Sequence, residues 1–78
     1  MTSGGRRLRG ISGEQAVRAF VKLGYARRAG KGSHVNLTKP GSQRLTIPLH
    51  KELSAGLLIS QIKRAGIEIE DFIRILEG

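Results

Sequence analysis

Residues 34–49, HVNLTKPGSQRLTIPL, decide the fold of this chain. Polar and apolar residues alternate through residues 34–38 and again through residues 43–49, which is the period of a strand with one buried face. Between them, residues 39–42 (KPGS) are typical of a tight turn, because proline fixes φ and glycine can take a positive φ. Pro48 has no amide hydrogen, so the second strand must lie at a sheet edge or end there. The stretch predicts an antiparallel hairpin.

A third strand precedes this hairpin in the sequence. Residues 25–29 have the length of a short strand, and the glycine-rich loop Gly30-Lys31-Gly32-Ser33 separates them from residue 34. Strands that follow each other through short turns pair as antiparallel neighbours. We therefore predict a three-stranded antiparallel meander.

Helical spacing of apolar residues predicts a first helix near residues 13–23. Ser12 and Gln15 have the spacing of a capping box, in which the serine is the N-cap and the glutamine lies three residues further on. Gly24 is the expected end of this helix, since glycine readily takes the left-handed conformation that ends helices.

Two more helices follow the sheet. Ser54 is the predicted N-cap of the second helix, and Gly66 is its predicted stop. The last helix covers about residues 68–77 by the same helical spacing. The order of elements is α-β-β-β-α-α, so the sequence predicts an α+β fold in which a three-stranded sheet packs against helices.

The composition indicates one small and strongly basic domain. The 78 residues include 14 Lys and Arg against 6 Asp and Glu, which gives a formal net charge of +8. A chain this short buries only about 60% of its unfolded surface, so we expect an exposed site rather than a deep pocket. The charge favours polyanions such as RNA, DNA or an acidic protein. An inert basic surface or an anionic membrane is the alternative.

Several classes of protein are not expected from this sequence. No apolar stretch is long enough to span a membrane, and residues 1–10 lack the apolar segment of a secretory signal. These residues are predicted to form a basic flexible arm before a domain at residues 11–78. The lack of cysteine excludes disulfides and fits a cytoplasmic protein. Two histidines do not predict a metal centre, and Gly30-Lys31-Gly32 is too short for a nucleotide-binding fingerprint, so no cofactor is predicted.

Strand alternation predicts a polar, basic sheet face pointing away from the helices. If Val35 and Leu37 face the helices, His34 faces outward beside Lys31 of the loop. Its predicted neighbours on that face are Asn36, Thr38, Arg44, Thr46 and either Arg27 or Arg28. A solvated polar face is ordinary for an antiparallel sheet. From the residues alone, His34 is therefore more often a surface histidine than a catalyst.

RNA chemistry is nevertheless available to such a face. Histidine gains or loses a proton near neutral pH, and RNA provides its own nucleophile, the 2′-hydroxyl, so cleavage needs no metal. His34 is the candidate base or acid. His50 is either an auxiliary acid or base, or a residue that hydrogen-bonds the strand-to-helix junction, and we favour the second role. The candidate ligands of the RNA phosphates are Arg27, Arg28, Lys31, Gly32, Ser33 and Arg44.

The chain as a whole resembles the HicA toxin family of bacterial and archaeal toxin–antitoxin systems. The resemblance covers residues 11–77 and leaves only the arm outside. It depends on the order and spacing of five motifs: Ser12-Gly13-Glu14, Leu23-Gly24-Tyr25, Lys31-Gly32-Ser33-His34, Thr46-Ile47-Pro48-Leu49-His50, and the run from Gly56-Leu57-Leu58 through Ala65-Gly66-Ile67.

This resemblance implies a double-stranded-RNA-binding-like fold and a metal-independent endoribonuclease, an mRNA interferase, that cleaves mRNA and arrests growth. The active-site histidine of the family corresponds to His34. The resemblance also implies a HicB-like antitoxin as protein partner, and we expect an acidic partner to cover the basic face.

Two other functions use the same features. A non-catalytic RNA-binding module of this fold would need only shape and phosphate contacts. An interaction protein would use its positive charge for an acidic partner alone. Substitution of His34 separates a ribonuclease from both, because only the ribonuclease needs a proton-transfer group on the open sheet.

Overall fold

The computed structural model describes residues 8–78, and these residues form three helices and three strands in the predicted order. In chain order they are α1 (Gly13–Lys22), β1 (Ala26–Ala29), β2 (His34–Thr38), β3 (Leu45–Pro48), α2 (Ala55–Arg64) and α3 (Ile69–Glu77). The strands form one antiparallel sheet in the order β1-β2-β3. The predicted α+β architecture is confirmed, and it is consistent with a double-stranded-RNA-binding-like fold.

The predicted capping box starts α1. The Ser12 hydroxyl accepts a hydrogen bond from the backbone N–H of Gln15 at 3.1 Å, and the Gln15 side chain accepts one from the backbone N–H of Ser12 at 2.8 Å. Leu23 is the C-cap, so the helix ends one residue earlier than predicted. Gly24 follows with a φ of 104°. A left-handed glycine at this position turns the chain towards β1.

The two later helices follow the sequence signals closely. The Ser54 hydroxyl caps α2 by accepting the backbone N–H of Leu57 at 3.1 Å. Gly66 has a φ of 73°, which is the conformation expected of the predicted stop. The last helix begins at Ile69 behind the N-cap Glu68, whose side chain makes no capping hydrogen bond.

The hairpin of β2 and β3 has the predicted turn. The backbone N–H of Ser42 donates to the carbonyl of Lys39 at 3.0 Å, and Gly41 has a φ of 79°. β3 is shorter than the predicted 43–49. Its ladder with β2 ends at Pro48, which fits an edge strand because proline cannot donate a further ladder hydrogen bond.

A single apolar core lies between the sheet and the helices. The inward residues of β2 and β3 are all buried: Val35, Leu37, Leu45 and Ile47. Phe20 of α1 lies at the centre, with ring centroids 4.8 Å from Phe72 and 5.8 Å from Tyr25. Alternation in the two strands therefore buries the side of the sheet that the sequence predicted.

Gly13 allows α1 to approach the end of β3 closely. A Cβ atom at this position would overlap the carbonyl oxygen of Pro48 and lie 2.7 Å from the Cα of Leu49. The backbone N–H of Gly13 also donates to the carbonyl of His50 at 2.9 Å. The start of α1 is thus packed directly on the strand-to-helix junction.

Residues 8–10, the last three residues of the predicted arm, pack against the folded domain. Residues 1–7 lie outside the described residues, so a flexible arm there stays a prediction. Leu8 is fully buried in the core, and the backbone N–H of Gly10 donates to the Glu52 carboxylate at 3.0 Å. The packing thus includes residue 8, three positions before the predicted boundary, because the apolar side chain of Leu8 fits the core. From residue 8 onward, no helix has the length and apolarity to cross a membrane.

Candidate functional site

The sheet face opposite the helices is called the open face here. The strand register places Arg28, Asn36 and Thr46 in one row across the three strands. The Thr46 hydroxyl donates to Asn36 Oδ1 at 2.9 Å, and Asn36 Nδ2 donates to the carbonyl of Ala29 at 3.4 Å. The open face also includes Ala26, His34 and Thr38, and the register puts Pro48 on the same side, although Pro48 is buried. Its middle row is polar and internally hydrogen-bonded.

The structure separates the two candidate arginines of β1. Arg28 lies on the open face, where its Nε is 3.5 Å from the Thr38 hydroxyl. Arg27 lies on the helix side, and its two terminal nitrogens donate to the Glu14 carboxylate at 3.2 Å each. The hydrogen bond from Arg27 lowers the pKa of Glu14 below its ordinary value, and the same bond raises the pKa of Arg27. Arg28 is therefore the β1 arginine of the open face, and Arg27 is compensated by an acid.

His34 is the first residue of β2, and its ring is exposed. Ring atom Nδ1 lies 3.2 Å from the carbonyl oxygen of Lys31. A carbonyl can only accept a hydrogen bond, so Nδ1 holds a hydrogen in this contact. Nε2 is then the ring nitrogen that can exchange a proton with a bound molecule. The contact restricts the rotation of the ring and leaves the Nε2 edge exposed.

The loop between β1 and β2 fixes the position of His34. A Cβ atom on Gly30 would lie 2.5 Å from the His34 carbonyl oxygen, so only glycine allows the two backbones to approach this closely. The backbone N–H of His34 donates to the carbonyl of Lys31 at 3.1 Å. One carbonyl thus accepts from both the backbone and the ring of the histidine, and the Lys31 side chain is exposed beside it.

The other two loop candidates are also at the surface. Gly32 turns the loop with a φ of 59° in open space. The carbonyl of Ser33 accepts the backbone N–H of Leu49 at 2.7 Å, which ties the loop to the end of β3, and residue 33 is exposed. A shallow hollow, called the near hollow, lies at this end of the sheet. It is lined by Arg27, Arg28, Ala29, Gly30, Gly32, His34, Val35 and Leu49.

Arg44 lies at the other end of the sheet from His34. It precedes β3, and its carbonyl accepts Nε of Arg64 at 3.0 Å. Its side chain lines a second hollow, called the far hollow, together with Gly24, Ala26, Arg28, Thr38, Lys39, Pro40 and Ser42. The structure does not bring Arg44 next to His34, although Arg28 lines both hollows.

His50 lies at the junction after β3, with an exposed side chain. Its carbonyl accepts the N–H of Gly13, but its ring forms no hydrogen bond with any of residues 8–78. The backbone of this residue therefore links the junction to α1. The ring itself is available to solvent at the His34 end of the sheet.

Charge is distributed unevenly along the chain. No acidic residue occurs between Glu14 and Glu52, a stretch that includes all three strands.

Lys39 of the far hollow was not among the predicted phosphate ligands, because its place in the predicted turn was explained structurally. Within residues 8–78, no three His, Asp or Glu side chains lie close enough together to hold a metal ion.

A family comparison agrees with the resemblance seen in the sequence. The model of a protein family described as the HicA toxin of bacterial toxin–antitoxin systems matches residues 13–67. The match covers α1, the complete sheet and α2, which is well over half of the chain. Among curated proteins, none gives a significant match.

Proposed function

This chain belongs to the HicA toxin family of toxin–antitoxin systems, and from that premise we propose that it is an endoribonuclease that cleaves mRNA and arrests growth. The observation that supports the proposal most is the arrangement of His34. Its ring is exposed on an acid-free sheet, Nδ1 is held by the Lys31 carbonyl, and Nε2 is free for proton transfer.

The reaction needs no nucleophile from the protein. The 2′-hydroxyl of RNA attacks the neighbouring phosphorus, the bond to the 5′-oxygen of the next nucleotide breaks, and a 2′,3′-cyclic phosphate and a 5′-hydroxyl result. Nε2 of neutral His34 can accept the 2′ proton, or the protonated ring can give a proton to the leaving oxygen. In the first role the leaving 5′-oxygen takes its proton from water or from the protonated ring of His50, and in the second role water or the neutral ring of His50 accepts the 2′ proton.

The cations near His34 would stabilise the charge that develops on the phosphate. Arg28 has no carboxylate partner among residues 8–78, and Lys31 projects from the loop that holds the histidine. The exposed loop at Gly32 and Ser33 can add backbone N–H donors to the same phosphate. Arg27 is a weaker candidate than the sequence implied, because Glu14 already compensates its charge.

His50 is proposed as an auxiliary residue. Its exposed ring lies at the same end of the sheet as His34, where a second proton-transfer group would complete a base and acid pair. We expect His50→Gln to lower the cleavage rate less than His34→Ala, since the backbone link to Gly13 does not depend on the side chain.

Membership of a toxin–antitoxin family implies an antitoxin partner. We propose that this partner is a HicB-like protein with an acidic surface that covers the open face. The formal net charge of +8 would accelerate their encounter and make it sensitive to salt. A toxin that acts on mRNA would work in the cytoplasm.

The cleavage test uses an RNA substrate, the same sequence with one 2′-deoxy nucleotide at the cut site, and EDTA. We expect cleavage of the RNA, resistance of the 2′-deoxy position, products with a cyclic phosphate, and no effect of EDTA. Cleavage at the 2′-deoxy position would contradict the internal nucleophile. Inhibition by EDTA that added metal reverses would contradict a metal-free and cofactor-free reaction.

A non-catalytic RNA-binding module is the second candidate, because the fold and its basic open face suit phosphate contacts alone. The same assay distinguishes it. Such a module would bind the RNA without cutting it, and His34→Ala would leave its effect on growth unchanged.

A further inference from the structure

We propose that the far hollow is a second phosphate site, which binds a phosphodiester of the substrate RNA at a distance from the bond that is cleaved. The inference rests on the proposed ribonuclease function and adds the path that the RNA follows across the protein. The strand would run along the open face, from His34 at one end to Arg44 at the other.

Three cations surround the far hollow. They are Arg28 on β1, Lys39 in the turn and Arg44 before β3, and the hydroxyls of Thr38 and Ser42 lie on the same lining. Cations beside hydroxyl donors are the usual protein ligands of nucleic-acid phosphates.

Lys39 is held in place before any ligand arrives. Its Nζ donates to the carbonyl of Leu23 at 2.9 Å and lies 5.6 Å from the Tyr25 ring centroid. One ammonium hydrogen is used by that carbonyl, so two remain for another acceptor. The side chain is partly buried and already ordered in the free protein. Binding a phosphate therefore costs Lys39 little further conformational entropy.

The charges of this hollow have no acidic compensation. No carboxylate from residues 8–78 forms an ion pair with Arg28, Lys39 or Arg44, whereas Glu14 pairs with Arg27 and Asp71 pairs with Arg74. Like charges that remain close together without a counter-ion raise the local attraction for an anion. The basic character of the hollow is thus a property of its own residues and not only of the net charge.

One phosphate cannot contact both ends of the sheet. His34 and Thr38 are the first and last residues of β2, and four steps along a strand span about 13 Å. The ligand of the far hollow must therefore be a different phosphate from the one attacked near His34. Arg28, which lines both hollows, lies between them and can contact the connecting backbone.

The test compares Arg44→Gln with Arg74→Gln. Both variants lose one positive charge, but Arg74 lies on α3 and pairs with Asp71. The Arg44 side chain is exposed, and only its backbone carbonyl bonds to Arg64, so its replacement should leave the fold intact. Circular dichroism and thermal unfolding check this for both proteins.

Binding is measured with a 2′-O-methyl oligonucleotide that spans the sheet and cannot be cleaved. We expect Arg44→Gln to bind about tenfold more weakly, as for the loss of one charge-assisted contact, and Arg74→Gln to bind like the wild type. The salt dependence should fall by about 0.7 in log–log slope, the value for one phosphate of a single strand. Equal affinities and slopes for the two variants would overturn the second phosphate site.

Substrate length provides an independent check. On a cleavable RNA of the same length, Arg44→Gln should raise KM and leave kcat unchanged, and on a dinucleotide it should have no effect. A reduced kcat on the dinucleotide would place Arg44 at the reacting phosphate and overturn the inference. Weaker binding to the antitoxin with unchanged RNA binding would assign the hollow to the protein partner, which also overturns it.

These outcomes are separate from those that test the ribonuclease. A wild-type protein that binds the modified oligonucleotide through Arg44 but cuts no RNA would contradict the proposed function and keep the phosphate site. If the wild-type protein cuts RNA and the Arg44→Gln variant binds the modified oligonucleotide with wild-type affinity, the phosphate site is contradicted and the proposed function is kept.

Discussion

Arg27 and Arg28 are neighbours in β1, yet they lie in different environments on the two faces of the sheet. On the helix side, Arg27 donates two hydrogen bonds to Glu14. On the open face, Arg28 contacts the Thr38 hydroxyl and has no acidic partner among residues 8–78. The same contrast extends across β2, where Leu37 is fully buried and His34 is exposed.

This contrast shows how a domain of 78 residues can separate stability from function. Successive side chains of a strand point to opposite faces, so each strand supplies the core and the site at the same time. The helix side has the apolar residues and the compensated charge. The open face has the histidine and the uncompensated cations, which cost little because water solvates them.

Leu37→Ala should lower the stability of the protein more than the other proposed substitutions, because it removes a core side chain on the helix side of the sheet. Leu37 is fully buried, and its truncation should cost about 2–5 kcal/mol through lost apolar contact and the cavity that remains. Thr38→Ala, one residue along on the open face, should cost less than about 1.5 kcal/mol. Urea unfolding of both variants gives the comparison, and similar losses would contradict the assignment of the two faces.

Gly30→Ala should disturb the site through its backbone. The added Cβ would lie 2.5 Å from the His34 carbonyl oxygen, and relief of such crowding typically costs about 1–3 kcal/mol. The cleavage rate should fall as well, since His34 must move. Gly56→Ala on α2 is the control, because a Cβ there meets nothing within 4 Å and should stabilise the helix slightly. A Gly30→Ala protein with wild-type unfolding and cleavage would contradict this close approach.

Arg28→Gln and Arg27→Gln compare the two faces directly. Arg28→Gln should weaken RNA binding about tenfold, because a cation without an acidic partner is lost from both hollows. Arg27→Gln removes a charge that Glu14 already compensates, so RNA affinity should change little. Fluorescence anisotropy with the uncleavable oligonucleotide measures both, and an equal loss of affinity would show that net charge alone determines binding.

Acid should remove the small contribution of the Glu14–Arg27 pair to the free energy of unfolding. The pair lowers the pKa of Glu14 from its ordinary value of 4.5, so its stabilisation is complete above that value and is lost as the pH falls through the lowered one. The difference in unfolding free energy between wild type and Glu14→Gln should therefore shrink in acid. A difference that stays constant from neutral pH into strong acid would contradict the pair, and added salt should weaken it.

Much of this fold follows from local sequence signals. The capping serines Ser12 and Ser54, the turn glycine Gly41 and the alternation in residues 34–38 each gave the element that the structure has. These signals are local because caps, turns and alternation depend on nearby residues alone. Strand ends were less predictable, since β3 stops where its pairing with β2 stops.

The side chains that make up the candidate site could be assigned only from the register of the strands. Alternation left Arg27 and Arg28 as alternatives, because residues 25–29 have no clear apolar pattern. Only the pairing of Arg28 with Asn36 decides between them. Alternation also grouped Arg44 with His34, but it gives a face and not a position along it. The burial of Leu8 was missed because an isolated leucine among arginines and glycines has no periodic pattern.

The most direct test of a catalytic histidine on the open face is His34→Ala, with cleavage and binding measured on the same RNA. His34 is exposed and its ring bonds only to a carbonyl of its own loop, so the variant should fold. We expect the cleavage rate to fall by about 100-fold or more, the usual contribution of general acid–base catalysis, while RNA affinity stays near that of the wild type. Cleavage at the wild-type rate would contradict the account.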